Sequence, residues 1–307
     1  MNHTAFFEQV KKGNIQPVYL MEGTEEYIKQ QAVRQLCAKL LPAGLEELNL
    51  TDLTDPEADT LIAAAETLPF MADRRIVIIR ECSLLTAGKK AENEDKAAQI
   101  AEYVERIPPT ACVVFFVKGK ADGRKKLYTL LKKKNAIVDF SPMSDAECAD
   151  WARRTMARMG KQMTPRTADK LVFTVGRDAA LLKQEMEKLA AYLADRPEVT
   201  EADIDAICTR STECTVFQMV DAQVAGRNDV AFGLLKDMVR AGEDRIGILA
   251  MLLRQYRILY HMRSLMDERA PQQSQASLLG IPPFAVSRTQ QQARRFDRAR
   301  LKEAYES

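Results

Sequence analysis

The chain has 307 residues, 46% hydrophobic and 29% charged, enough for two or three domains with a substantial core and unlike a disordered tail. Its formal net charge is only +2, whereas a protein whose main task is gripping nucleic acid carries a larger excess of Lys and Arg. No apolar run approaches the roughly 20 residues of a membrane-spanning helix. The polar start, residues 1–9, lacks a basic stretch followed by a hydrophobic one, so secretion is not expected.

The first 140 residues alternate between β-like and helical segments. Runs at 17–21, 76–79, 112–117 and 137–140 are nearly continuous in apolar residues, as strands buried on both faces of a parallel sheet should be. A weaker run lies near 48–50. Helical patterns at 25–40, 56–67, 95–107 and 124–133 separate them. Repeated strand and helix predict a doubly wound α/β domain over residues 1–140.

After Phe140 the β signal ends. Ser144 with Glu147 three residues on forms a capping box, and Gly160 closes the helix it opens. Thr164-Pro165 predicts a second helix with Pro at its first position. A third is expected over 178–193, and a fourth over 200–208 with Thr200 as cap and Asp203 in the first turn. Together they make a helical bundle of about 70 residues, 141–210. From Thr215 the elements lengthen. Ile246, Leu249, Leu253, Tyr256, Leu259 and Met262 recur every three or four residues, predicting one face of a long amphipathic helix. Residues 267–275 read as a loop, a further helix begins near Pro283, and a last one spans 297–306. That last pattern has no stop signal, so this third domain, 211–307, is expected to continue in a longer protein.

An α/β domain ending its first strand at Met21 invites a search for a phosphate loop. GxxxxGK[ST] works because glycines let backbone N–H groups surround phosphate, Lys neutralises charge and the hydroxyl holds Mg²⁺. Here the strand is followed by Glu22-Gly23-Thr24-Glu25-Glu26-Tyr27-Ile28-Lys29. There is one glycine and no GK[ST], and three carboxylates stand where triphosphate would sit. No acidic Walker-B pattern follows a strand either. ATP hydrolysis by this chain is not expected.

Other chemistry is absent as well. Cys37, Cys82, Cys112, Cys148, Cys208 and Cys214 are scattered without a CxxC pair, and His3 and His261 lie far apart. This reads as reduced thiols in a cytoplasmic protein with no metal site. Asp203 and Asp205, two apart on a helix, point away from each other. No GxSxG or HExxH occurs, and His3 is read as part of a frayed terminus. No cofactor and no catalytic residue are expected.

Several stretches, in order, carry a family resemblance. Pro17-Val18-Tyr19-Leu20 leads into Gly23-Thr24-Glu25-Glu26-Tyr27, and Leu68-Pro69-Phe70-Met71-Ala72-Asp73-Arg74-Arg75 precedes Ile76-Val77-Ile78-Ile79. Gly176-Arg177-Asp178 is followed by Leu182 and Glu185-Met186-Glu187-Lys188-Leu189. Val216-Phe217-Gln218-Met219-Val220-Asp221-Ala222 and Arg254-Gln255-Tyr256-Arg257 come last. Over essentially its full length the chain resembles the δ subunit of the bacterial DNA polymerase III clamp loader. The resemblance implies an AAA+-like α/β domain without a phosphate loop, a helical lid and a helical collar. It implies a heteropentamer with the tau/gamma and delta-prime subunits, acting on the β sliding clamp and primed DNA. Cytoplasmic, nucleoid-associated work in a DNA-directed DNA polymerase holoenzyme follows, with ATP hydrolysed by neighbouring subunits.

The clamp-binding candidates are Leu68, Pro69, Phe70 and Met71, in a loop that Pro69 separates from the preceding helix. On pattern alone such apolar residues beside a strand read as core. The resemblance favours clamp contact for Phe70 and Met71 and core for Leu68. A second candidate group is basic. Lys118, Lys120, Arg124, Lys125, Lys126, Lys132, Lys133 and Lys134 stand against one acid, Asp122, yet Leu127, Leu130 and Leu131 mark the same segment as an amphipathic surface helix. Arg294, Arg295, Arg298 and Arg300 form another cluster. Lys125, Lys126, Arg254 and Arg257 are kept as candidates for DNA or subunit contacts, the two arginines first as helix-pairing groups. A degenerate ATPase and a DNA-binding adaptor are the alternatives. Nucleotide binding, or salt-sensitive DNA binding by the isolated chain, would favour them.

Overall fold

The computed structural model describes residues 1–86, 94–299 and 301–302. The chain divides into two compact units, Met1–Pro142 and Met143–Ser307.

The first unit opens on a helix the sequence reading did not expect, α1 (His3–Lys12). Asn2 caps it by accepting a hydrogen bond from the Ala5 N–H, and Phe6 and Val10, one turn apart, are buried. Phe6 meets Tyr19 edge-on at 5.1 Å, and the His3 ring stacks on Phe140 at 6.3 Å, so His3 is not frayed. Only Phe6 and Val10 are buried over these ten residues, and the adjacent Phe7 blurs the period they would mark.

Strand β1 (Val18–Glu22) follows, then α2 (Glu26–Leu40), the single turn α3 (Glu46–Asn49), β2 (Leu50–Thr54), α4 (Ala58–Glu66) and β3 (Arg75–Arg80). The unit closes with α5 (Glu94–Glu105), β4 (Ala111–Phe116), α6 (Lys126–Lys133) and β5 (Ile137–Asp139). The strands form one parallel sheet in the order β2-β3-β4-β1-β5, the doubly wound α/β class expected. β1 and β4 are buried throughout, and β3 up to its last residue, because helices cover both sheet faces. Alternate residues Val18, Leu20, Val77, Ile79, Val113 and Phe115 pack with Leu61 and Ala65 of α4, Ile100 and Tyr103 of α5, and Leu127 and Leu131 of α6. The weak run at 48–50 is displaced: Leu48 belongs to α3, and the strand is Leu50–Thr54. It is an edge strand, nowhere fully buried, and so lacks the apolar run of its neighbours.

The second unit is all helical, completing the α/β plus all-α class. Helix α7 (Asp145–Arg158) starts at the Ser144–Glu147 capping box, α8 (Pro165–Val175) at Thr164-Pro165, α9 (Ala179–Leu193) at Asp178, and α10 (Glu201–Ile207) at a Thr200–Asp203 box. Asp203 is also paired with Arg196 and Asp205 with Lys170, so the two carboxylates do diverge. There follow α11 (Thr212–Val224), α12 (Asn228–Arg240), α13 (Arg245–Asp267), α14 (Gln272–Leu279) and α15 (Pro283–Arg294). Val220, Leu259, Met262, Val286, Ala293 and Leu301 make one core of this helical array, and Val216, Met219, Met238 and Ile248 another.

Two expectations need correction here. The long helix exists, but Ile246 and Leu249 are 77% and 56% exposed, and Ile248 faces the core instead. An unbroken period does not reveal that the helix packs on different neighbours along its length. Part of the expected loop at 267–275 is helix α14. The last helix is present at 298–299 and 301–302, while Arg300 and residues 303–306 of that expectation lie outside the described residues. No described helix is long and apolar enough to cross a membrane.

Candidate functional site

The chain leaves α4 at Glu66 and reaches β3 at Arg75, at the sheet edge where the strands begin. The Thr67 hydroxyl donates back to the Ala63 carbonyl at 2.7 Å, and Pro69, having no N–H, cannot extend the helix. Beyond this stop the chain turns outward. Leu68 is 77% exposed, Phe70 54% and Met71 77%, with Pro69 half-buried between them. Leu68 is therefore not core, contrary to expectation, because the buried stripe of α4 ends one turn earlier at Ala65.

This apolar turn is held by polar contacts beneath it. Asn49, fully buried at the end of α3, accepts from the Phe70 N–H through Oδ1 at 2.7 Å. Its Nδ2 donates to the Phe70 carbonyl at 3.0 Å and to the Leu45 carbonyl at 3.0 Å. Arg75, the buried first residue of β3, donates from Nη2 to Thr51 Oγ1 at 2.9 Å and from Nη1 to the Thr67 carbonyl at 3.3 Å. Burial pushes the Arg75 pKa down, though a guanidinium stays charged at neutral pH. Arg74 donates to the Ile15 carbonyl at 2.9 Å. Within the turn Met71 has φ +49°, a left-handed conformation that costs a side-chain-bearing residue about 1–2 kcal/mol. Leu48, next to Asn49 in the chain, is a further exposed apolar residue, at 56%. Sequence reasoning missed both Leu48 and Asn49. The one available signal was an asparagine at a helix–strand junction, a residue type that bonds backbone in turns.

The opposite sheet edge, where the strands end, is the place where open α/β sheets bind ligands. Here it is stitched shut. The Gly23 N–H donates to the Gly119 carbonyl at 2.7 Å, the Glu25 N–H to the Phe140 carbonyl at 3.0 Å, and the Phe140 N–H to the Glu22 carbonyl at 2.7 Å. Gly23 has φ +118°, and a Cβ on it would lie 2.2 Å from the Phe140 carbonyl oxygen. Glu22 is buried and accepts from the Ala121 N–H at 2.9 Å. Lys29 is fully buried: its ammonium donates to Glu26 at 2.6 Å and to the Val117 carbonyl at 2.9 Å, under the Phe116 ring at 4.7 Å. The backbone donors and the lysine that a phosphate loop would offer are spent on the protein itself.

The basic candidates do not converge. Leu127 and Leu131 bury one side of α6, leaving Lys126, Lys132 and Lys133 exposed, with Lys125 half-buried at its N-terminus. Lys120 is paired with Asp139 at 2.7 Å, and Arg124 with Asp122 at 2.8 Å. Arg254 of α13 is paired with Glu213 of α11, an inter-helix pair, while Arg257 is exposed. Arg254 and Glu213 line a cavity of about 790 Å³ in the second unit, together with Arg177, Asp169 and Phe217. Burial, with Asp145 nearby, raises the Asp169 pKa.

Comparison with known proteins gives one consistent result. The family model described as DNA polymerase III, delta subunit, matches residues 19–141, and that described as its C-terminal domain matches residues 213–307. The chain is 29% identical over 300 residues to the DNA polymerase III subunit delta of Bacillus subtilis (strain 168), covering 96% of this chain and 86% of that protein. The solved structure of the Bacillus subtilis DNA clamp loader delta protein superposes with a TM-score of 0.63 at 27% identity, covering 99% of this chain and 91% of that one.

Proposed function

Since the chain belongs to the DNA polymerase III delta subunit family, we propose that it binds the β sliding clamp and opens its ring for loading onto primed DNA, without hydrolysing ATP itself. Its partners are other clamp-loader subunits. The finer assignment is a heteropentamer with tau/gamma and delta-prime, in the cytoplasm at the nucleoid. Residues 141–210 then serve as the lid and 211–307 as the collar that joins the ring. Contacts of Lys125, Lys126, Arg254 or Arg257 with DNA or neighbouring subunits belong to the same reading.

The observation that carries it is the exposed cluster Leu68, Pro69, Phe70 and Met71, presented on a turn fixed from below. Large apolar side chains left in water beside a packed core favour a partner with a pocket. Burying Phe70 and Met71 in such a pocket stabilises a complex by about 3 kcal/mol or more. The closed carboxyl-end edge supports leaving ATP to other subunits.

The test is binding of the purified chain to the sliding clamp of its own organism, without ATP, beside the double variant Phe70→Ala/Met71→Ala. Loss of those side chains should weaken binding by about a hundredfold or more. The melting temperature should barely move, since neither side chain is core. Unchanged clamp affinity in the double variant would sink the assignment of the site.

A further inference from the structure

Asn49 stands out from the rest of the first unit's interior. Its side chain holds both backbone groups of an exposed apolar residue, the N–H of Phe70 at 2.7 Å and its carbonyl at 3.0 Å. The pair of bonds copies what a neighbouring strand residue would make, yet it comes from a side chain 21 residues earlier. The third bond, Nδ2 to the Leu45 carbonyl, ties the amide to its own helical turn and fixes its orientation. All of Asn49 is buried, whereas the residue it supports, Phe70, is 54% exposed. A solvated turn needs no such partner, because water satisfies an exposed N–H and C=O. Two hydrogen bonds from a fully buried amide constrain where the Phe70 Cα sits, and with it the direction of the ring.

The second support has the same character. Arg75 is buried, its Nε has no hydrogen-bond partner, and two of its other N–H groups hold Thr51 and the Thr67 carbonyl. An apolar residue would serve the core better there. The turn is thus clamped at its beginning by Arg75 and at Phe70 by Asn49, and between Phe70 and Arg75 Met71 takes its left-handed conformation.

We propose that Asn49 is a positioning residue for the clamp contact: it touches no partner itself and acts by presenting Phe70 in the direction that a clamp pocket requires. This role rests on the reading of Phe70 and Met71 as the clamp-binding pair. Pre-organising an anchor removes part of the ordering cost of association, and losing the support leaves the same side chains on a freer turn. Affinity should then fall by about tenfold or more without loss of any contact atom.

The experiment compares clamp binding by the full chain and by Asn49→Leu, Phe70→Ala and the two combined, well below the melting temperature. Asn49→Leu keeps the branched shape of the side chain, somewhat enlarged, and removes all three hydrogen bonds. If that variant folds poorly, Asn49→Ala removes the same three hydrogen bonds without added bulk and should show a comparable loss. Hydrogen exchange at the Phe70 amide is read alongside. The expected result is a loss of about tenfold or more for Asn49→Leu, faster exchange at Phe70, and less than about twofold further loss when Asn49→Leu is added to Phe70→Ala. A purely structural role would give the same factor in both backgrounds, and that result overturns the proposal. Wild-type affinity in Asn49→Leu alongside lost affinity in Phe70→Ala overturns the role of Asn49 alone. No clamp binding by the wild-type chain overturns the functional reading, and the role of Asn49 with it.

Discussion

The two edges of the β-sheet are built from the same strands and treated in opposite ways. Where β1, β4 and β5 end, the chain turns its polar groups inward: Gly23 bonds Gly119, Glu25 bonds Phe140, and Lys29 is buried against Glu26 and Val117. Where the strands begin, the polar groups of Asn49, Arg74 and Arg75 are spent on holding a turn whose apolar side chains face water. In an open α/β sheet the carboxyl-end edge is where ligands are ordinarily bound. Here the donors of that edge are bonded within the chain, and the apolar turn on the other edge leaves a surface that another protein can cover. A sheet scaffold fixes both edges equally well, so which one carries function is decided by where the donors and the apolar side chains are directed.

The comparison is broken most severely at Gly23. Gly23→Ala places a Cβ against the Phe140 carbonyl and forces alanine to φ +118°. The expected loss of stability is about 3 kcal/mol or more, read as a shifted urea midpoint. A loss below about 1 kcal/mol would mean that this edge is not closed as tightly as its hydrogen bonds require.

Lys29→Met comes next. It removes a charged donor from the Val117 carbonyl and from Glu26 while keeping an unbranched side chain under Phe116. About 2 kcal/mol should be lost in chemical denaturation, the usual range for a buried hydrogen bond to a charged group. On the proposed function clamp affinity depends on the other edge, and it should then stay at the wild-type level when the folded fraction is held constant.

The smallest effect is in pH. Burial would raise the Asp139 pKa, but hydrogen bonds from Lys120 and Ser141, with the Lys120 charge, outweigh it and hold the carboxyl below its ordinary value. Because the folded pKa is lowered, this contribution is complete above the unfolded carboxylate pKa. It fades as pH falls through the folded value. Protection of the Ser141 amide, which donates to Asp139 at 3.0 Å, measured against the intrinsic exchange rate at each pH, should therefore fall at acid pH before that of the Phe70 amide. A simultaneous fall at both sites would show that the edges are not independent.

Much of this was legible in the chain itself. Four of the five strands announce themselves as apolar runs because a parallel sheet buries both faces, and the missing GK[ST] removes the phosphate loop by composition alone. Ser144–Glu147, Thr164-Pro165 and Thr200–Asp203 mark helix starts because a cap is a local hydrogen bond between residues three apart. The segment 68–71 could be picked out as apolar, and Pro69 as a break.

Its exposure could not. Leu68 was read as core and is open to solvent, whereas Ile248 takes the buried place that the periodic stripe gave to Ile246 and Leu249. The edge strand β2 and the short helix α1 were obscured for a related reason, since each has only a partial apolar face. What the sequence by itself determined are the features set within a few residues: periodicity, caps, chain breaks and the absence of a phosphate motif. What only the tertiary structure decided is which donors meet which acceptors across 21 residues, as at Asn49 and Phe70, or 88, as at Lys29 and Val117. Burial and long-range hydrogen bonding are properties of what packs over a residue, and that neighbour is chosen by the fold rather than by the residue's own surroundings in the chain.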